Sequence, residues 1–492
     1  MDHGRPGPGD ERPTKRPRTT PIRPDFLDLP LENVVEALCL ECPRPPWRSR
    51  RHELSDGSRL NSHPPMEARH CYSPTCWCSP ILVDLEITQT LASLAGTCRT
   101  LYAIATPHVY HRPATRKWWL LANTLISRPD LAAHVRVLSN HLWKAGIRTS
   151  TEVAPRAVDD YYMAMKFAYA RYRDAEFNDA EATAIFEDHN TSINIMTNLC
   201  PSVEEMDLVH RGGPFLFACE ETPLRRMRNL VLGRSSQDAD TVDSETISTL
   251  GKKTPQLANL VLRGICARSF AYEYPLPSLI RLRLEDSCIE VEALRALLGS
   301  CSSITEFQFR ASFEELGLIR GFDPKDLQMA LRLCVPNLES LSIDMSSDLT
   351  RCEAPVPVER LIQTLDFNVR LRDLTIETGC FLGPKYIYLQ ARRYRRGCGG
   401  QRLEIPSTKS YPDVPREVIM DLLPVSIVRL RITTATDGPR PNFLARGLEE
   451  MARQVNDSFP KLEVVIVEEM YQSRVWALAD AFKAAGVRFS TG

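Results

Sequence analysis

From about residue 199 onward, apolar side chains recur in a cassette of the form apolar-x-x-apolar-x-apolar. The copies are Val203/Met206/Leu208, Met227/Leu230/Leu232, Leu257/Leu260/Leu262, Leu279/Leu282/Leu284, Ile304/Phe307/Phe309, Leu338/Leu341/Ile343, Leu371/Leu374/Ile376, Ile427/Leu430/Ile432 and Leu462/Val465/Val467, with a weaker one at Leu403/Ile405. Apolar and mostly polar positions alternate at the end of each cassette, which predicts a short strand with one buried face. Many copies follow a proline, as in Cys200-Pro201-Ser202, Thr254-Pro255-Gln256 and Val335-Pro336-Asn337, which marks a turn before the strand. The central residues Met206, Leu230, Leu260, Leu282, Phe307, Leu341 and Leu374 stand 22 to 34 positions apart. That leaves room for connecting helices, predicted at Glu290 to Leu298 and Val358 to Leu365. One such unit cannot bury its own apolar side, so neighbours must stack into a continuous core.

Upstream, the spacing becomes helical. Leu31, Val34, Val35, Leu38 and Cys42 fall on one stripe behind Pro30, which sits where a helix can start without losing a backbone donor. Leu91, Leu94, Ala95, Cys98, Leu101 and Ala105 repeat that spacing, and Pro107 is expected to end their helix. A helix over Lys117 to Leu125, closed by Arg128-Pro129-Asp130, leads to a short strand around His134 to Leu138. Tyr161 to Tyr172 and Ala180 to Leu199 are further helical candidates. The proline-rich segment 43–80 reads as a long loop, and residues 1–24, with six basic side chains against three acidic, as a disordered basic tail. Lys15-Arg16-Pro17-Arg18 within it fits either a nuclear-import signal or a solvated tail.

Composition narrows the class. With 61 basic and 62 acidic residues among 492, nothing global favours nucleic acid or an anionic membrane. Apolar runs such as Val464-Val465-Ile466-Val467 fall far short of the roughly 20 residues that cross a bilayer. The first residues carry no signal-like apolar stretch, so a cytoplasmic or nuclear location is expected. The 15 cysteines then read as reduced, mostly buried thiols.

Chemistry-bearing motifs are few. Phosphate-binding glycine turns, His-Glu-x-x-His and Gly-x-Ser-x-Gly are all missing, and paired acids such as Glu204-Glu205, Glu449-Glu450 and Glu468-Glu469 face different ways on any regular element. The expectation is a protein without catalytic residues or cofactor. His70, Cys71, Cys76 and Cys78, with Cys39 and Cys42 nearby, have the side chains for a zinc site. The usual pair of C-x2-C knuckles is missing and Cys39 and Cys42 belong to the helical stripe, so no metal site is assigned.

The segments Leu29-Pro30-Leu31-Glu32, Thr97-Cys98-Arg99-Thr100-Leu101 and Ala105-Thr106-Pro107-His108-Val109-Tyr110-His111-Arg112-Pro113 occur in an order that resembles an F-box. The cassettes resemble degenerate leucine-rich repeats as they follow the F-box in many fungal proteins. The resemblance implies an α/β protein: an all-helical F-box-like module over 25–113, interrupted by the inserted loop at about 43–80, then a solenoid over 114–492, a curved horseshoe of short parallel strands. It also implies a substrate-recognition adaptor, the helices docking on the Skp-type linker of a cullin-RING ubiquitin ligase and the solenoid holding a protein substrate. Linker docking falls to Leu29, Pro30, Leu31, Val34, Leu94, Cys98 and Leu101. A leucine-rich-repeat scaffold outside ubiquitination, its helices merely capping the solenoid, is the alternative, and a zinc-dependent nucleic-acid binder or enzyme built on the Cys/His insert is a further one.

Residues alternating with the buried ones are expected on the concave face. They include Glu205, Asp207, Asn229, Val231, Asn259, Val261, Arg263, Arg281, Arg283, Glu285, Glu306, Gln308 and Arg310, then Ser340, Ser342, Asp344, Asp373, Thr375, Glu377, Arg429 and Arg431. Asn259, Arg263, Arg281, Arg283 and Arg310 are the candidate substrate contacts, since guanidinium groups pair well with acidic or phosphorylated side chains. Solubility of an exposed face explains any single one of them equally.

Overall fold

The computed structural model describes residues 32, 35, 80–115, 118–140, 193, 196–210, 224–234, 251–267, 275–311, 323–345, 358–382, 418–433, 441–468 and 472–491. Its strands are β1 (Val137–Ser139), β2 (Glu205–His210), β3 (Asn229–Arg234), β4 (Asn259–Arg263), β5 (Cys266–Ala267), β6 (Arg281–Ile289), β7 (Glu306–Ala311), β8 (Ser340–Asp344), β9 (Asp373–Glu377), β10 (Arg429–Thr433), β11 (Val464–Val467) and β12 (Arg488–Thr491). All pair in parallel and, apart from the short β5 beside β6, in chain order, giving an open α/β sheet of solenoid type.

The cassettes set this register. Their central residues stand opposite one another on successive strands: Met206, Leu230, Leu260, Leu282, Phe307, Leu341, Leu374, Leu430 and Val465. All of these are buried, and they merge with the third cassette positions into one continuous core. Such side chains are each worth about 1.5–3 kcal/mol on burial, and only stacking achieves it. The residue just before most of the strands repeats a further device. Its carbonyl accepts two N–H groups from the next turn, as in Arg228 and Asn229 on Glu204, Ile280 and Arg281 on Ala258, and Arg372 and Asp373 on Glu339. The turn ahead of it recurs as well, with Met227 N–H on the Leu224 carbonyl, Leu279 on Leu276, Leu371 on Asn368 and Leu462 on Phe459.

Helices fill some of the connections. α1 (Pro80–Ala95), α2 (Arg99–His111), α3 (Trp118–Ser127) and the one-turn α4 (Pro129–Ala132) precede the sheet. α5 (Val291–Gly299), α6 (Pro324–Cys334), α7 (Gly379–Leu382), α8 (Val418–Leu422), α9 (Pro441–Ser458) and α10 (Gln472–Ala484) lie between strands. α6 starts on a capping box in which Asp323 accepts from the Asp326 N–H at 2.9 Å and the Asp326 carboxylate returns the bond at 3.3 Å. Among the described residues no helix is long and apolar enough to cross a membrane.

Three expectations need correction. The stripe from Leu91 to Ala105 is two helices: Gly96 and Thr97 turn the chain, and Cys98, in extended conformation, caps α2 by accepting from the Leu101 N–H. Pro107 lies inside α2 rather than ending it. Of the helix expected at Val358 to Leu365 only one 3-10 turn, Val358–Arg360, is present. The donors a helix would use internally go elsewhere: Ile362 N–H to the Cys380 carbonyl, Gln363 N–H to the Gln328 side chain and Leu365 N–H to the Leu422 carbonyl. Leu403 and Ile405 lie outside the described residues, as do the tail, segment 43–79 with its Cys/His cluster and the candidate helix 161–172.

Candidate functional site

A small second core stands apart from the main one. Val35, Leu91 and Ala105 are each at most 2% exposed, with Ile87, Leu94, Ala95, Ile104 and Val109 packed around them. It joins α1 and α2 to Val35, which is in helical conformation and belongs to the first stripe. Of the linker-docking candidates, Leu94 is half-buried against this core, Leu101 is half-buried on α2, and Cys98 is exposed at the α2 cap. Leu29, Pro30, Leu31 and Val34 lie outside the described residues. The module joins the sheet through α2, where the His111 carbonyl accepts the Arg136 N–H one residue before β1. His111 itself is buried, and that burial, with His108, Arg136 and His134 nearby, pushes its imidazole down to about 4, so it is neutral in physiological solution.

The other candidate surface is the exposed sheet face. On β4, β7 and β8 buried and half-buried residues alternate, as the cassettes predict, and the alternating positions form rows across the strands. One row is Glu205, Asn229, Asn259, Arg281, Glu306, Ser340, Asp373 and Arg429; the next is Asp207, Val231, Val261, Arg283, Gln308, Ser342, Thr375 and Arg431.

Most of the charge on this face is already engaged. Asn259 donates to Asn229 at 2.5 Å and Asn229 to Glu205 at 3.3 Å, an amide ladder along the first row. Arg263 meets Glu285 at 2.8 Å, and its stem lies beside Gly233 of the adjacent strand. Arg281 meets Glu306 at 2.7 Å, Arg429 meets Asp373, and Arg431 meets Glu468 just past β11. Arg310 reaches Asp286 at 3.0 Å. That last pairing depends on an irregularity of β6: Asp286 has a φ of 49°, in the left-handed region, and the register with β7 shifts between Leu284 and Ser287. Of the five candidate contacts, Asn259, Arg263, Arg281 and Arg310 therefore carry bonds to neighbouring strands, and Arg283 is exposed with no such partner among the described residues. The cassette pattern placed Arg310 on the face, but only the bulge at Asp286 shows where its charge is spent.

Glu377 departs from the expectation of an exposed side chain. It is 3% exposed, and its carboxylate accepts from the Gly379 N–H at 2.8 Å, the Thr378 hydroxyl at 3.1 Å and the Cys380 thiol at 3.8 Å. The chain turns into α7 directly after β9, which draws the carboxylate onto that turn. Burial, aided by Asp344, pushes its acid up to about 7 against the opposing pull of the Gly379 hydrogen bond.

The five cysteines with described side chains are free thiols. Burial pushes Cys200 up to about 12 and Cys301 to about 11, so both stay protonated and unreactive. Among the described residues no cluster of three or more His, Cys, Asp or Glu could hold a metal ion. The arrangement is an exposed, largely ion-paired strand face on which Arg283 has no ion-pair partner among the described residues. No family model matches the chain, and no curated protein matches it significantly.

Proposed function

We propose that this chain is a substrate-recognition adaptor of a cullin-RING ubiquitin ligase, with an F-box-like helical module that docks on a Skp-type linker and a leucine-rich-repeat-like solenoid that holds a protein. The single observation carrying the reading is the separate small core of Val35, Leu91 and Ala105, since a module with its own core beside a larger one is what a docking unit requires. The sequential parallel sheet supports the second half, because its long exposed face gives a partner an extended surface. In this reading the chain binds and the other ligase subunits catalyse, and the location is cytoplasmic or nuclear.

A scaffold whose helices only cap the solenoid draws support from the bond between His111 and Arg136, which seats α2 against the first strand. One experiment separates the two. The full chain is co-purified with a Skp-type linker, as wild type and as the Pro30→Ala/Leu31→Ala double variant. An adaptor binds the linker and the variant loses a few kcal/mol of affinity, because buried apolar anchors contribute about 1.5–3 kcal/mol each. Wild type that fails to bind leaves the scaffold.

A further inference from the structure

We propose that the sheet face around Arg283 binds an extended protein segment bearing a single carboxylate, with an aliphatic side chain two residues away from it. The proposal rests on the reading of this face as the binding surface of the solenoid.

The charge balance selects the ligand. Across β4, β6 and β7 the described charged residues of the strands are Arg263, Arg281, Arg283, Glu285, Asp286, Glu306 and Arg310. Three ion pairs neutralise six of them, Arg263 with Glu285, Arg281 with Glu306 and Arg310 with Asp286. Arg283 is the seventh, and it stands exposed between Val261 and Gln308 in its row. One uncompensated positive charge matches one carboxylate. A phosphate, close to a dianion at neutral pH, would bring a second negative charge next to Glu285 and Glu306 with nothing to balance it. Guanidinium presents two parallel donors to the carboxylate, which fixes the plane in which it arrives.

Beside Arg283 the row turns apolar. Val261 is its neighbour on β4 and Val231 the next on β3, both only half-buried, whereas Gln308, Ser342 and Thr375 on the other side are polar. Strands are about 4.8 Å apart, so the centre of the valine pair lies about 7 Å from the Arg283 position. An extended chain running across the strands projects side chains on one side about every 6.4–6.8 Å. An acid above Arg283 thus places the residue two positions along over Val231 and Val261, on the β3 side.

The test uses the full chain, co-purified with the Skp-type linker where it binds, in a selection from a random peptide library displayed on phage, followed by affinity measurements on synthetic peptides. Wild type should enrich Asp or Glu two positions from Leu, Ile or Val. Arg283→Glu should replace the acid with Lys or Arg, and Arg283→Gln should remove the charge preference. Because Arg283 has no ion-pair partner among the described residues, the neutral variant Arg283→Gln should keep the wild-type unfolding midpoint. A Glu-to-Gln change in the selected peptide should weaken it tenfold or more on wild type and leave the Arg283→Gln complex unchanged. An acid preference that survives Arg283→Glu, a wild-type selection without acids, or a phosphoserine peptide that outcompetes the glutamate one would each overturn the proposal. Linker binding is scored separately: acid-x-aliphatic selection without linker binding keeps this site and removes the adaptor reading, and the reverse result removes only the site.

Discussion

Glu377, the last residue of β9, holds the backbone N–H of Gly379 at 2.8 Å instead of facing solvent. The carboxylate is raised to about 7 by burial, from an ordinary value of 4.5. Between those two values the folded chain keeps a proton that the unfolded chain has released. Unfolding then releases a proton, and stability must fall as pH rises from about 4.5 to about 7. The whole contribution is up to about 3 kcal/mol. Denaturant titrations across this window should show that decline for wild type, and Glu377→Gln, which keeps the shape without the charge, should flatten it.

Asn368 is completely buried, and neither its side-chain nitrogen Nδ2 nor its side-chain oxygen Oδ1 has a hydrogen-bond partner. It occupies the position three residues before the first cassette residue, where other turns place Cys200, Leu224, Leu276, Cys301, Val335 and Phe459. An unsatisfied buried amide costs about 1–3 kcal/mol, so Asn368→Val should raise stability by about that amount. The denaturation midpoint, at an unchanged slope, reads it directly.

Asn140 is the opposite case. Equally buried, it donates to the Val209 carbonyl at 2.8 Å and accepts the Val209 N–H at 2.6 Å, extending the β1–β2 pairing with a side chain where the strand itself stops. Asn140→Ala leaves both backbone groups of Val209 buried and unmatched, and a loss of roughly 2–4 kcal/mol is expected. Faster exchange of the Val209 amide would localise the damage.

Pro107 interrupts α2 from within, because it has no N–H for the carbonyl of Ala103. Pro107→Ala should add that bond and stabilise the helical module by about 1–3 kcal/mol. Thermal unfolding of the full chain, followed by helical circular dichroism, tests this.

These cases show which features could be read from the residues and why others could not. The strands are legible because a two-residue alternation flanked by a turn residue has one physical solution, and every cassette from Val203 to Val467 that lies among the described residues forms a strand in register. β12 carries little pattern: only Val487 and Phe489 mark it, and Phe489 is held by stacking on Phe482, with ring centres 5.4 Å apart. Its spacing from Val465, the same as that from Met206 to Leu230, was the available signal. The exposed rows were legible as rows, but not their bookkeeping of charge. That Arg310 and Arg431 find ion-pair partners depends on the left-handed Asp286 and on Glu468 beyond a strand end, neither of which a local pattern specifies. Glu377 was misplaced for the same reason, since the turn after the strand, not the alternation, decides where its carboxylate points.

The chain-order pairing of the strands has a consequence for how the protein is made. Each strand of the main sheet bonds to the one synthesised just before it, and even the widest of the ion-paired gaps, from Asp373 to Arg429, is 56 residues. A ribosome releasing this chain delivers every turn to a template that is already standing, so the molecule can be assembled as it emerges, like courses of brick, without waiting for its far end.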